Sequence, residues 1–227
     1  MKNICSVVAL AATLTALATA STANAVTFSF DDGTFEDVVG LTSPGTLTFV
    51  NRFTAPAGGF SVESISVAFG DVSGQPTING APFTAALYGD PNNDGSPADA
   101  VLVSSLVSTA QNVQTSTFPS SVTGVFATYD IPDFAFTPGQ NFFVGGVITQ
   151  SSGSQRPGSV DTSATDSASF AAVGSGFGAG VTPLNDVVTG DWLIRANGVA
   201  VVPEANAGLL AAFALPAVGF IAFRRRK

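Results

Sequence analysis

Histidine is missing altogether from the 227-residue chain, and cysteine occurs once, as Cys5. Lysine appears only at the two ends, as Lys2 and Lys227. Catalysis through a histidine-based triad, histidine-ligated metals and lysine Schiff bases are therefore excluded from the middle of the chain. With Cys5 near the N-terminus, the body has no thiol for a disulfide, a thiolate metal site or a cysteine nucleophile. Basic charge is equally scarce: between residues 26 and 202 three arginines (Arg52, Arg156, Arg195) stand against fifteen carboxylates, a net charge of −12. A nucleic-acid partner needs cations to neutralise its phosphates, so that class is excluded too. What the chain has in quantity is phenylalanine (nineteen residues) and glycine (twenty-four). A body of roughly 180 residues buries about 70% of the surface its unfolded chain exposes, which is enough to fold without disulfides.

Residues 1–25 read as a secretory leader. Lys2 opens it, residues 4–20 form an alanine-rich apolar run, and Ala23-Asn24-Ala25 is a small-x-small cleavage site that would leave Val26 as the new N-terminus. Cys5 precedes the apolar run, whereas a lipid-anchored cysteine would follow it. At the other end, Val202-Pro203-Glu204-Ala205 leads into residues 206–223, which carry no charge, and Arg224-Arg225-Arg226-Lys227 closes the chain. As a helix this run would be roughly 27 Å long, just enough to span a bilayer core. The four cations would hold its end on the cytoplasmic side and leave the body outside. Gly208, Pro216 and Gly219 are tolerated in such spans. Leu215-Pro216-Ala217-Val218-Gly219 lacks the threonine of a sortase box and lies inside the apolar run.

A Pro-Glu pair, one apolar span and a terminal arginine cluster resemble the PEP-CTERM sorting signal of Gram-negative-type bacteria, over residues 202–227. The resemblance implies recognition of Pro203 and Glu204 by an exosortase, a membrane transpeptidase-like enzyme, and cleavage near them. It also implies a producer of exopolysaccharide or biofilm matrix. The family's usual third motif residue is proline, where this chain has Ala205. The alternative is a C-terminal anchor that stays uncut.

Residues 26–201 read as one domain of short, alternating β-type runs separated by Gly, Pro, Asn and Ser clusters. The runs are 26–30, 47–53, 62–69, 83–88, 101–107, 122–131, 142–148 and 192–202. No stretch between residues 26 and 202 keeps a 3.6-residue apolar period over ten residues. The pattern predicts an all-β, antiparallel β-sandwich of jelly-roll type, one face of each sheet wet. It is flanked by the leader helix and the C-terminal transmembrane helix. Residues 111–121 and 150–190 are poor in large side chains and are expected to be long surface loops. The ordering of Asp31-Asp32-Gly33, Asn51-Arg52-Phe53, Leu87 with Tyr88 and Asp90, Pro138-Gly139 with Phe142-Phe143, and Trp192 with Arg195 resembles bacterial β-sandwich domains of secreted, surface-sorted proteins.

Three groups of residues are candidate sites. Asp90, Asn92, Asp94 and Asp99 set oxygen ligands at the spacing of the first half of a calcium loop, with Gly95 for the sharp turn. Val101 stands where a bidentate acid would close that loop, and Pro, Asn, Asp and Gly are also ordinary turn formers. Calcium is the one cofactor the sequence suggests. Asp31, Asp32, Glu36 and Asp37 form a second acidic cluster, read first as a turn or a weak cation site and, like Asp186 and Asp191, otherwise as carboxylates for a glycoside hydrolase. Trp192 and Tyr88, with Tyr129, would make a sparse sugar-stacking platform; the competing role for Trp192 is a buried anchor. Arg52 and Arg195, rare cations within strand-like runs, either pair with acids or lie exposed. The sequence thus leads first to an exported, non-enzymatic protein of the cell surface or extracellular matrix. Its partners would be signal peptidase, an exosortase-like enzyme and the membrane. A module binding the exopolysaccharide is the alternative.

Overall fold

Period-two alternation of phenylalanine and β-branched residues gives strands and almost nothing else. The computed structural model describes residues 24–116, 120–163, 166, 168–178 and 180–200, and its only helical elements there are two 3-10 turns, Pro97–Asp99 and Leu184–Asp186. One sheet has the order β1 (Ala25–Phe28), β17 (Ile194–Ala200), β5 (Phe60–Ala68), β11 (Phe126–Phe136). The larger sheet has the order β15 (Val181–Pro183), β14 (Ser169–Val173), β4 (Gly45–Thr54), β12 (Asn141–Gln150), β7 (Pro82–Gly89), β8 (Val101–Thr109). Every pairing within these two sheets is antiparallel. Three small sheets complete the unit: β16 (Asp191–Trp192) with β13 (Gly158–Asp161) and β3 (Asp37–Val39), β10 (Val122–Thr123) with β2 (Thr34–Phe35), and β6 (Gly70–Val72) parallel to β9 (Gln114–Ser116).

The two large sheets share one core. Leu47, Phe49 and Phe53 of β4, Phe142, Val144 and Ile148 of β12, and Phe83 and Leu87 of β7 meet Phe60, Val62, Ile65 and Val67 of β5. Rings bridge the layers, with centroids 6.1 Å apart for Phe60 and Phe142, and 5.0 Å for both Phe69–Phe83 and Phe83–Tyr129. Strict alternation would turn Ile65 and Val67 away from the side that holds Phe60 and Val62. The β5–β17 register shifts between Asn197 and Gly198, opposite Ser64 and Val62, which leaves Glu63 as an extra residue in β5. This bulge brings both halves of β5 onto the core. The chain crosses between the two large sheets six times, and two of the crossings, after β4 and after β11, run directly from one sheet to the other with no element between. The two crossings are stitched together by Ala55 N donating to Gln140 O (2.9 Å) and Gly139 N donating to Ala55 O (2.9 Å).

Two expectations are corrected here. The stretch 150–190 is not a run of surface loops, because it holds β13, β14 and β15, and β14 lies against β4 inside the larger sheet. Nor is the outer face of that sheet wet throughout: Val50, Ala86, Tyr88, Phe143 and Phe170 form a second small core there, covered by Phe177 from the β14–β15 hairpin. Short strands also break the sequence's longer runs. The 122–131 run splits at Gly124 and Val125, and the 192–202 run at Leu193.

Strands β1 and β17 are neighbours, with Ala25 opposite Val199, so the first and last described strands lie side by side. The compact unit runs over Asn24–Val201. Residues 1–23 of the leader, the sorting residues Pro203 and Glu204, the apolar run 206–223 and the basic end 224–227 lie outside the described residues, whereas Ala25, the last residue of the leader, is the first of β1. Among the described residues no helix is long and apolar enough to cross a membrane.

Candidate functional site

The acidic loop follows β7 directly and is built on Asp90, whose side chain is buried. Asp90 Oδ1 accepts from Asn93 N (2.8 Å) and Oδ2 from Gly95 N (2.7 Å), which winds the chain into a tight turn. Asn93 and Gly95 both take positive φ there, 59° and 79°, a conformation that asparagine and glycine tolerate best. Asn92 Oδ1 accepts from Asp94 N and Asn92 Nδ2 donates to Asp94 Oδ2, both at 3.0 Å. Asp94 Oδ1 accepts from Ser96 N (2.7 Å), and Ser96 Oγ then caps the 3-10 turn that carries Asp99. The loop is docked on the start of β12 by Asn141 N donating to Asn93 Oδ1 (2.6 Å).

Asp90, Asp94 and Asp99 each bring one carboxylate oxygen within 4.8 Å of the others. Of the four residues proposed as ligands, three therefore converge, and Asn92 is engaged with Asp94. Arg52 also lies against the turn and donates from Nη1 to Gly95 O (2.9 Å). Val101, at the position of the missing bidentate acid, is an exposed residue of β8.

The aromatic platform is not on the surface, which corrects the sugar-stacking roles of Trp192 and Tyr88. Trp192 has no solvent exposure; its ring stands 5.5 Å from that of Phe49, and its Nε1 donates to Phe170 O (3.0 Å). Tyr88 is buried under Phe177, with centroids 5.1 Å apart. Tyr129 is buried as well and donates its hydroxyl to Thr109 O (2.9 Å). Burial pushes both tyrosine hydroxyls up to about 12.

The carboxylates of the second acidic cluster serve as local acceptors. Asp31 is buried and pairs with Arg195, whose guanidinium also lies 3.9 Å from the centre of the Phe126 ring. The hydroxyl and backbone N–H of Thr34 hold the Asp32 carboxyl below its usual range. Glu36 accepts from Thr162 N (3.0 Å) and Asp37 from Val38 N (2.7 Å). Asp161 and Asp191 face each other across β13 and β16, both without exposure. Asp161 accepts from Asp32 N and from Ser163, and Asp191 from Asp166 N and Ser169 Oγ. Asp186 is exposed on the second 3-10 turn. Asp71 is buried away from these groups, and desolvation raises its carboxyl above the usual value.

One feature escaped the sequence reading. A groove of about 590 Å³ opens between β3, β6 and β9, lined by Asp37, Val38, Val72, Ser73, Thr115 and Arg156. Its parts are scattered from residue 37 to residue 156, so only the tertiary fold joins them. The one signal in the sequence was the rarity of arginine itself.

The chain matches no protein-family model, no curated protein and no solved structure.

Proposed function

We propose that the chain is an exported, non-enzymatic protein of the cell surface or extracellular matrix, a two-sheet, jelly-roll-like sandwich sorted through a PEP-CTERM-type C-terminal signal. Signal peptidase removes residues 1–25, the apolar run 206–223 tethers the protein in the membrane, and an exosortase-like enzyme cuts near Pro203 and Glu204. The observation that carries this reading is the match between two independent sets of boundaries. The leader and the sorting signal read from the sequence end and begin at residues 25 and 202, and the compact unit spans Asn24–Val201. Because the start of β1 pairs with the end of β17, both processing points would lie at the same end of two neighbouring strands, and neither cut would divide the core. The unit needs no disulfide, and its stiffness rests on the shared aromatic core.

Intact-mass analysis of the protein from cells and from medium tests both cleavages at once. The expected extracellular species begins at Val26 and lacks residues 206–227. A species that still begins at Met1 overturns export, and an extracellular species retaining residues 206–227 overturns processing.

The acidic loop folds on its own amides in this reading. Asp90 and Asp94 already receive the N–H groups that define the turn, and Arg52 supplies positive charge beside it. The melting temperature is therefore expected to be the same in millimolar calcium and in excess chelator. A rise of several degrees in calcium, abolished by Asp94→Asn with Asp99→Asn, would instead assign a cation to the loop, in the weak range of extracellular calcium modules.

A further inference from the structure

The three arginines of the central unit are used differently. Arg195 has Asp31 as a counter-ion, and Arg52 props the acidic turn. Arg156 donates from Nη1 to three main-chain carbonyls, Leu41 O and Gly153 O at 2.8 Å and Gln155 O at 3.2 Å. Carbonyl dipoles hold the guanidinium in place without cancelling its charge. Among the described residues the one ion pair is Arg195–Asp31, so no carboxylate neutralises Arg156 within 4.0 Å. Its Nε and Nη2 donate to no described residue. This fixed cation, without an ion-pair partner, stands on the wall of the 590 Å³ groove, which Asp37 also lines, a volume typical of small-molecule sites.

The rest of the lining sets the ligand's chemistry. Arg156 offers a planar fork suited to a carboxylate. Asp37, whose Oδ1 receives only its neighbour Val38 N, is an acceptor for hydroxyl groups across the groove. Ser73 and Thr115 both donate and accept. Val38 and Val72 supply the apolar part of the lining, against which the C–H face of a sugar ring can lie.

We infer that this groove binds a carboxylate-bearing, polyhydroxylated ring: a hexuronate residue of an acidic oligosaccharide, its carboxylate on Arg156 and its hydroxyls on Asp37, Ser73 and Thr115. The inference goes beyond the proposed function and stands whether or not the C-terminus is processed.

Titration calorimetry on the full-length protein in detergent, with tetragalacturonate as the probe, tests it. Binding is expected for the parent and is expected to weaken by about tenfold or more in Arg156→Gln. That variant also frees the carbonyls of Leu41, Gly153 and Gln155, so Val72→Phe provides the independent check. Val72 is partly exposed, makes none of those bonds and lines the groove, where the larger phenylalanine ring would take space from a bound ring. A neutral galactose tetramer is expected to bind at least about tenfold more weakly than the probe, and equimolar acetate is expected not to displace it. No heat with tetragalacturonate overturns the inference, as does equal affinity in both variants. Equal binding of the neutral tetramer overturns the role of Arg156, and displacement by acetate overturns the role of the hydroxyl contacts. Each of these results is independent of the intact masses that test export and sorting.

Discussion

Asn51→Ala is expected to lower the free energy of unfolding by about 2–6 kcal/mol, because it leaves two buried carbonyls without a donor at about 1–3 kcal/mol each. Asn51 sits on β4 with no solvent exposure, in the inward-facing series that otherwise reads Leu47, Phe49 and Phe53. Its Nδ2 donates to Trp192 O (2.8 Å) and Ile194 O (3.2 Å). Those carbonyls flank Leu193, where the chain leaves β16 for β17, so the asparagine satisfies a break in strand pairing that no strand can satisfy. Its Oδ1 accepts from Ser169 Oγ (2.6 Å), which also lies 2.8 Å from Asp191 Oδ1 and accepts from Trp192 N (3.1 Å). One hydroxyl proton serves two acceptors there. Asn51→Asp should therefore cost more than Asn51→Ala, since it adds a second carboxylate beside Asp191 and removes the donor as well. Ser169→Ala combined with Asn51→Ala should cost less than the sum of the two single changes, because both act on one network. Trp192 is the only tryptophan and lies within this network, so urea unfolding followed by its fluorescence reads all these variants. Stability of Asn51→Ala within about 0.5 kcal/mol of the parent would show that the carbonyls find other partners.

What could be read from the sequence was what alternation encodes. The runs 47–53 and 142–148 are strands with Phe49, Phe53 and Phe142 inward, as a period of two on a sheet demands, while Phe143 takes the opposite face. The stretch 150–190 misled because β14 reads Ser-Phe-Ala-Ala-Val, with one large side chain. That strand is held by its neighbours: β4 on one edge, β15 on the other, and Phe143 against Phe170 at 6.1 Å. Small residues suffice where partners supply the bulk, and composition does not register partners. The acidic loop was legible as a turn, since Asp90, Asn93 and Gly95 are residues that the turn itself demands. Which of its oxygens converge was not, because that depends on where the 3-10 turn carries Asp99. Tyr88 was misjudged for a related reason: Phe177, which covers it, is eighty-nine positions away in a glycine-rich segment that read as loop.

Trp192→Ala is expected to cost about 3–5 kcal/mol, the range for truncating a buried aromatic, in a fold whose whole stability is on the order of 5–15 kcal/mol. The indole has no exposure, packs edge-on against Phe49, and its Nε1 donates to the carbonyl of Phe170, which truncation would orphan. Trp192→Phe keeps part of the packing but loses that donor, so about 1–3 kcal/mol should remain missing. Gly158 tests the same packing from the other side. A Cβ there would lie 2.4 Å from Trp192 Cζ3 and 3.0 Å from Cε3, so Gly158→Ala should destabilise by about 1–3 kcal/mol through overpacking. In the Trp192→Ala background the indole is gone, its cavity accepts the new methyl, and Gly158→Ala should cost little or become favourable. Thermal unfolding by circular dichroism reads this cycle without the tryptophan. If Trp192 were instead a sugar-binding surface residue, Trp192→Ala would leave the melting temperature unchanged and the two substitutions would add independently. That outcome would return the ring to the surface and remove it from the core that joins the two sheets.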